Sequence, residues 1–327
     1  MNRFVARVGL QRVIAFAALV VLILYFGLAG NGFASWATVL NIAKVTIFLG
    51  FIAIGLTFVF AAGGMDISTG TGMSCIGLIG GVVLKNSGSI VLAMGIMLLS
   101  GIILGAINGV LIAYLKIGPF IVTMAMQMVT RGFGSIVTNV QQQSFPGATA
   151  PGGWYKSIFF YQSDSLPDAV KAGLPTGFIL LFLYAIIMGV ILKRTKVGRY
   201  TLAIGSNKEA ARLSGVRTEK WEMITYVISG FSAGIAAIAY AASYTSFIPS
   251  ANDGWEMQGI AGMVIGGTSM AGGIASIGGT VIGVLIMSVL KTGLPAIGLQ
   301  PHYQLLFTGI ILVAAVYADV LSHRKKS

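Results

Sequence analysis

Long apolar runs separated by short polar clusters recur along the whole chain, from Val13–Gly30 near one end to Tyr303–Val320 near the other. Between them lie Val45–Gly63, Ile67–Leu84, Ile90–Leu115, Pro119–Thr138, Pro175–Leu192, Met223–Tyr244, Met257–Met270 and Ile274–Leu290. A helix of about 20 apolar residues crosses a bilayer, so the pattern predicts an all-α integral membrane protein with about ten transmembrane helices. Residues 1–327 read as a single transmembrane domain, with a basic loop at 193–222 and a Gly- and Pro-containing loop at 139–174.

Composition supports a chain dissolved in lipid. It is 56% hydrophobic and 9% charged, with a mean hydropathy of +0.89, where a soluble domain of this length carries far more charge. The net charge of +12 does not point to nucleic acid, because the basic residues fall between and beyond the apolar runs. Lys193, Arg194, Lys196, Arg199, Lys208, Arg212, Arg217 and Lys220 crowd one loop against only Glu209 and Glu219. Lys and Arg collect in cytoplasmic loops, so this loop, the Arg3, Arg7 and Arg12 flank and the Arg324, Lys325 and Lys326 tail all belong inside. Both termini are then cytoplasmic, and the loop with Trp154, Tyr155 and Tyr161 is an interfacial segment outside. No small-x-small cleavage site precedes Asn31, so the first run reads as an uncleaved helix of an inner-membrane protein.

Asp66 is the only charge between Val45 and Leu84, and it follows a Gly-Gly pair in GGMDISTGTG, Gly63–Gly72. A carboxylate in hydrocarbon costs roughly 2.5–3.5 kcal/mol on insertion scales, so backbone groups or a hydrated cavity must satisfy it. The segment therefore reads as a broken membrane helix on a transport path, with Gly63, Gly64, Asp66, Ser68 and Thr69 at the break. Asp66 itself suits the N-cap of the half-helix that follows, where the helix dipole favours a negative charge. A counterpart occurs at GGTSMAGGIASIGGTVIG, Gly266–Gly283, where Gly266, Gly267, Thr268 and Ser269 interrupt a second apolar stretch. With five runs before the outer loop and five after it, the halves form candidate inverted repeats with the path between them. Asn108, Gln127, Arg131, Glu256 and Gln258 are the further polar residues in or at the ends of spans.

Glycines at four-residue spacing, Gly101, Gly105 and Gly109, Gly230 and Gly234, Gly262 and Gly266, Gly279 and Gly283, read as close helix packing. Ala203–Lys220 carries a second signal. Ser206 and Glu209 have the spacing of a capping box, with Asn207, Ala210, Ala211 and Arg212 in the helix and Gly215 as its left-handed stop. A short amphipathic helix held out by a membrane bundle suits docking on a partner.

No phosphate-cradling GxxxxGK loop is present, so the chain is not expected to hydrolyse ATP. The lone Cys75 excludes an intrachain disulfide, and His302 and His323 as the only histidines exclude a multi-histidine metal site. His302 reads as an interfacial polar residue, and neither metal, cofactor nor catalytic residue is expected. Two readings stay open on the residues alone: a conduit opened by a separate ATPase, or an ion-coupled carrier in which Asp66, Ser68, Thr69 and Thr71 ligate a cation.

At these motifs the chain resembles the inner-membrane permease subunits of bacterial ABC sugar importers of the ribose, galactose and xylose type. GGMDISTG is similar to that family's GG-I/F-DLSVG, and PFIVTMAMQMVTRG, Pro119–Gly132, to its PAFI-x-TL…RG segment. AIGSNKEAARLSGV resembles its GGN-x-x-AARLSGI loop, and WEMQGIAGMVIGGTSMAGG its YELDAIAAVVIGGTSLAGG run. Thr69, Ser206, Gln258 and Ala275 depart from the residues usual there. The resemblance implies two such permease chains in the lipid bilayer, identical or paralogous, around a central path. It also implies a cytoplasmic ABC ATPase engaging the Glu209–Gly215 segment, and an extracytoplasmic solute-binding protein that delivers a monosaccharide.

Overall fold

The computed structural model describes residues 10–162, 167, 173–249 and 254–324. Helices α1 (Leu10–Ala29), α2 (Trp36–Ala61), α3 (Thr69–Ser87), α4 (Ile90–Gly109) and α5 (Pro119–Val137) are followed by the short α6 (Tyr155–Phe159). Then come α7 (Gly177–Arg194), α8 (Lys196–Ser206), α9 (Lys208–Leu213), α10 (Thr218–Tyr244), α11 (Trp255–Ile265), α12 (Ile277–Ala296) and α13 (Pro301–Arg324). The only strands among the described residues are β1 (Gln143–Ser144) and β2 (Ser246–Phe247), which pair antiparallel.

Helix α2 is the axis of the bundle. Ser35 caps it by accepting the Thr38 N–H at 3.3 Å, and from Val45 to Ala61 it is buried on every side. A helix apolar all round belongs in a core, and α10, α11, α12 and α7 wrap this one. Helices α4 and α10 run against each other over glycine. A Cβ on Gly101 would strike the Gly230 carbonyl, one on Gly105 the Tyr226 carbonyl, and one on Gly109 would lie 2.7 Å from Met223 Cγ. Gly262 meets Gly283, and Gly266 meets Gly279, in the same way between α11 and α12. The expected packing role of the spaced glycines holds: without a hydrophobic drive in lipid, close backbone approach supplies the contact energy.

Among the described residues, six helices are long and apolar enough to cross a membrane: Trp36–Ala61, Ile90–Tyr114, Pro119–Val137, Gly177–Arg194, Thr218–Tyr244 and Ile277–Ala296. The expected ten full spans are thus not all met. Helix α11 has 11 residues and stops at Ile265 because Gly267 turns left-handed, and α3 is too glycine-rich to be strongly apolar. Tyr155, expected at an interface, is instead fully buried, its hydroxyl donating to Ala241 O at 3.1 Å. Arg3, Arg7, Lys325 and Lys326 lie outside the described residues.

Two ends of the bundle are distinguishable. At one, Trp36 Nε1 donates to Gly173 O at 3.0 Å, joining the start of α2 to the 139–174 segment. At the other, the end of α2 meets the basic segment carrying α8 and α9, where Gly205 lies against Ala61.

Candidate functional site

Helix α2 ends in a backbone knot. Gly63, at φ 78°, and Gly64 turn their N–H groups back to Phe60 O and Val59 O at 2.9 and 3.0 Å, and the chain then runs without regular structure to Ser68. Asp66 lies on this irregular stretch with 4% of its surface exposed. It does not take the N-cap position expected for it, since α3 begins at Thr69 behind Ser68. Instead Asp66 Oδ1 accepts the Ser68 N–H at 3.0 Å and the Ser68 hydroxyl at 2.7 Å, fixing the segment that enters α3. Two neighbouring helices complete the cluster. Ser229 of α10 donates to Asp66 Oδ2 at 3.0 Å, and Asn108 Nδ2 of α4 donates to Ser68 Oγ at 2.9 Å. Tyr226 donates to the Met65 carbonyl at 3.1 Å. Charge-assisted hydrogen bonds of this kind are how a carboxylate tolerates burial. Asn108 lies two residues before a π-helical turn, Val110–Tyr114, a local widening that recurs at functional sites.

A second polar group lies against the first turn of α3, around Glu256. Left-handed Gly254 starts α11 and places Glu256 in its first turn, 2% exposed, where the helix dipole favours negative charge. Gln127 Nε2 of α5 donates to Glu256 Oε1 at 3.4 Å. A Cβ on Gly70 would overlap the other carboxylate oxygen, so only glycine lets α3 approach this closely. Thr130 bridges α5 to α3 through Thr71 at 3.0 Å. Gln127 and Arg131 border a cavity of about 410 Å3 with Met128, Gly132 and Ser135. Thr69 Oγ1, Asn108 Oδ1 and Gln258 Oε1 are buried without a hydrogen-bond partner.

The second break, 266–276, is closed by its own hydroxyls: Thr268 Oγ1 accepts the Ser276 N–H at 3.2 Å and Ser269 Oγ the Ala271 N–H at 3.1 Å. Ser68, Thr69, Thr268 and Ser269, expected to face a hydrated route, are all buried in this conformation. The two breaks touch, with Gly273 N–H donating to Ala61 O at 3.0 Å.

The basic segment contains two helices where the sequence suggests one. Ser206 is the last residue of α8, so the Ser206–Glu209 capping box does not form. Asn207, extended between the helices, caps α9 instead, its Oδ1 accepting the Ala210 N–H at 2.9 Å. Glu209, freed from the cap, pairs with Arg212 at 2.6 Å, and that neighbour holds its carboxyl below the usual carboxylate range. Gly215 provides the left-handed stop at φ 82°. Ala211 packs inward while Glu209, Ala210, Arg212 and Leu213 face outward, Leu213 being 76% exposed. Lys208 ties α9 to Glu222 of α10 at 2.6 Å. Ser229, Tyr226, Glu222 and Leu213 were not singled out by sequence reasoning; each gains its meaning from a contact distant in sequence or from exposure.

A family model described as a branched-chain amino acid transport system permease component matches residues 38–316. The ribose import permease protein of Haemophilus influenzae is 30% identical over 312 residues, spanning 95% of this chain and 94% of its own. That of Bacillus subtilis is 33% identical over 329 residues, spanning 97% and 94%. The xylose transport system permease protein of Escherichia coli is 30% identical over 370 residues, spanning 97% and 93%. No solved structure matches.

Proposed function

The chain belongs to the family of branched-chain amino acid transport system permease components, and on that premise we propose that it is the transmembrane subunit of an ATP-driven sugar importer. It forms the translocation path for a monosaccharide, pentose or hexose, received from an extracytoplasmic binding protein. ATP is hydrolysed by a partner subunit, which grips the outward face of α9 at Glu209, Ala210, Arg212 and Leu213. Two observations carry this reading: relatives named as ribose and xylose permeases match the chain nearly end to end, and its own basic segment displays a capped, outward-facing helix.

The finer topology follows from the charges. The basic segment and both termini are cytoplasmic, so α1, α3 and α13 add crossings to the six long spans, and α11 with the 266–276 loop makes a tenth, half-helical one. The meeting of the two breaks at Gly273 and Ala61 supports halves related as inverted repeats. A second permease chain faces this one across the path, with Gln127, Arg131 and Glu256 lining it and Asp66, Ser68, Thr69, Asn108, Gln258 and Gly266–Thr268 behind the gate.

Reconstitution tests the proposal. The chain alone in proteoliposomes takes up no sugar, whereas assembly with its ATPase and sugar-loaded binding protein gives uptake that requires ATP. Uptake driven by an ion gradient without ATPase overturns it.

A further inference from the structure

The tip of α8 touches both helix breaks through bare backbone. Gly205 is wedged beside the Gly273–Ala61 hydrogen bond, where a Cβ would strike Ala61 O and stand 2.5 Å from Gly273 N. A Cβ on Gly272 would lie 2.8 Å from Gly205 O and 2.9 Å from Gly63 N, and one on Gly273 2.5 Å from Ser206 Oγ. Gly63, Gly272 and Gly273 all have positive φ, at 78°, 89° and 75°. Four glycines from three segments therefore meet with no side chain between them, which lets backbones slide apart or close with nothing to interdigitate.

This junction adjoins two polar regions. On its basic side is a cavity of about 460 Å3, bordered by Gly63, Gly205, Ser206 and Ala271 and by the charged Lys116, Lys208 and Glu222. Three residues along the chain from Gly63 begins the buried Asp66–Ser68–Asn108 cluster. The hairpin of α8 and α9 is also lashed to α10 by Lys208–Glu222, and one turn further along α10 Tyr226 holds the Met65 carbonyl. A push on α9 thus reaches the first break by two routes and the second break by one.

Building on the reading of the chain as the permease of an ATP-driven importer, we infer that the junction of Gly63, Gly205, Gly272 and Gly273 is the inner gate of the path. Displacement of the α8–α9 hairpin by the ATPase separates Gly205 from both breaks together and joins the Asp66 cluster to the charged cavity.

The test uses the full complex with ATPase and binding protein in proteoliposomes. In Gly205→Ala the ATPase still co-purifies while ATP-dependent uptake falls about tenfold or more, the expected effect of overpacking a close backbone contact. Gly189→Ala, where a Cβ meets nothing within 4 Å, transports as wild type. Independently of whether Gly205→Ala folds, single cysteines in a Cys75→Ala background report the gate to a membrane-impermeant maleimide applied from the ATPase side. Ala271→Cys labels in every state, and Ser68→Cys labels only with ATP and loaded binding protein. Full uptake by Gly205→Ala, or Ser68→Cys labelling that ignores nucleotide, overturns the gate while a transporting wild-type complex leaves the importer reading intact. A wild-type complex without ATP-dependent uptake overturns that reading itself.

Discussion

Ser229 donates its hydroxyl to Asp66 Oδ2 at 3.0 Å, joining α10 to the first helix break across 163 residues of sequence. The contact places the one charge of the 45–84 region in a socket made by three segments, because Ser68 and Asn108 complete it. Asp66 thereby fixes the path of the irregular stretch before α3 rather than the first turn of α3.

Removing that anchor has a graded cost. Asp66→Ala leaves the Ser68 N–H, the Ser68 hydroxyl and the Ser229 hydroxyl buried without their acceptor, at about 1–3 kcal/mol for an orphaned group. Asp66→Asn keeps an oxygen for Ser68 and offers its amide to Ser229, so it is expected to lose less. Thermal unfolding of the purified protein in detergent should rank wild type above Asp66→Asn above Asp66→Ala. Equal midpoints for the two variants would show that the carboxylate is not an anchor.

Asn207, and not Ser206, starts α9. Asn207→Ala should cost about 1 kcal/mol of helix stability, the usual loss of an N-cap, and weaken co-purification of the ATPase. Ser206→Ala removes no cap and should retain the ATPase. Charge reversal in Glu209→Arg also breaks the Arg212 pair on the exposed face and should release the ATPase while membrane insertion is kept. A pulldown in which Ser206→Ala is the weaker of the two neutral variants would restore the capping box.

Local rules explain what could be read in advance. The apolar runs, the breaks at Gly63 and Gly266, the left-handed Gly215 and the docking faces of Gly101 and Gly230 follow from composition and spacing within one segment. Helix α8 is hidden because its buried face is formed by Gly198 and Thr201 with only Ile204 strongly apolar, and once α8 extends to Ser206 that residue is helical and unavailable as a cap. Ser229 and Tyr226 were invisible for another reason: on a helix of small residues nothing local marks them, and only the crossing of α10 over the break gives them partners.

The glycine contacts predict opposite signs for one substitution. Gly95→Ala meets nothing within 4 Å and removes a poor helix former, so it should be neutral or stabilising by up to about 1 kcal/mol. Gly230→Ala drives a methyl into the Gly101 carbonyl and should destabilise by about 1–3 kcal/mol. Membrane abundance and thermal midpoints of the two variants check the sign. If both behave as Gly95→Ala, α4 and α10 are not in backbone contact.

Glu256 and Gln127 give a charge-dependent prediction for the path. The carboxyl group is buried between Gly70 and the Gln127 amide, in the first turn of α11. Gln127→Glu sets a second carboxylate against it in low dielectric, whereas Gln127→Lys offers a cation, and the two are similar in bulk. Electrostatics therefore separates them where mere loss of packing would not. Uptake by the assembled importer should fall furthest for Gln127→Glu and least for Gln127→Lys, with the neutral Gln127→Leu between them and protein abundance compared throughout. The order follows from Glu256 alone, so adding Glu256→Gln should bring the Glu and Lys variants together. If the double variants keep the same spread, the order does not come from the field of Glu256.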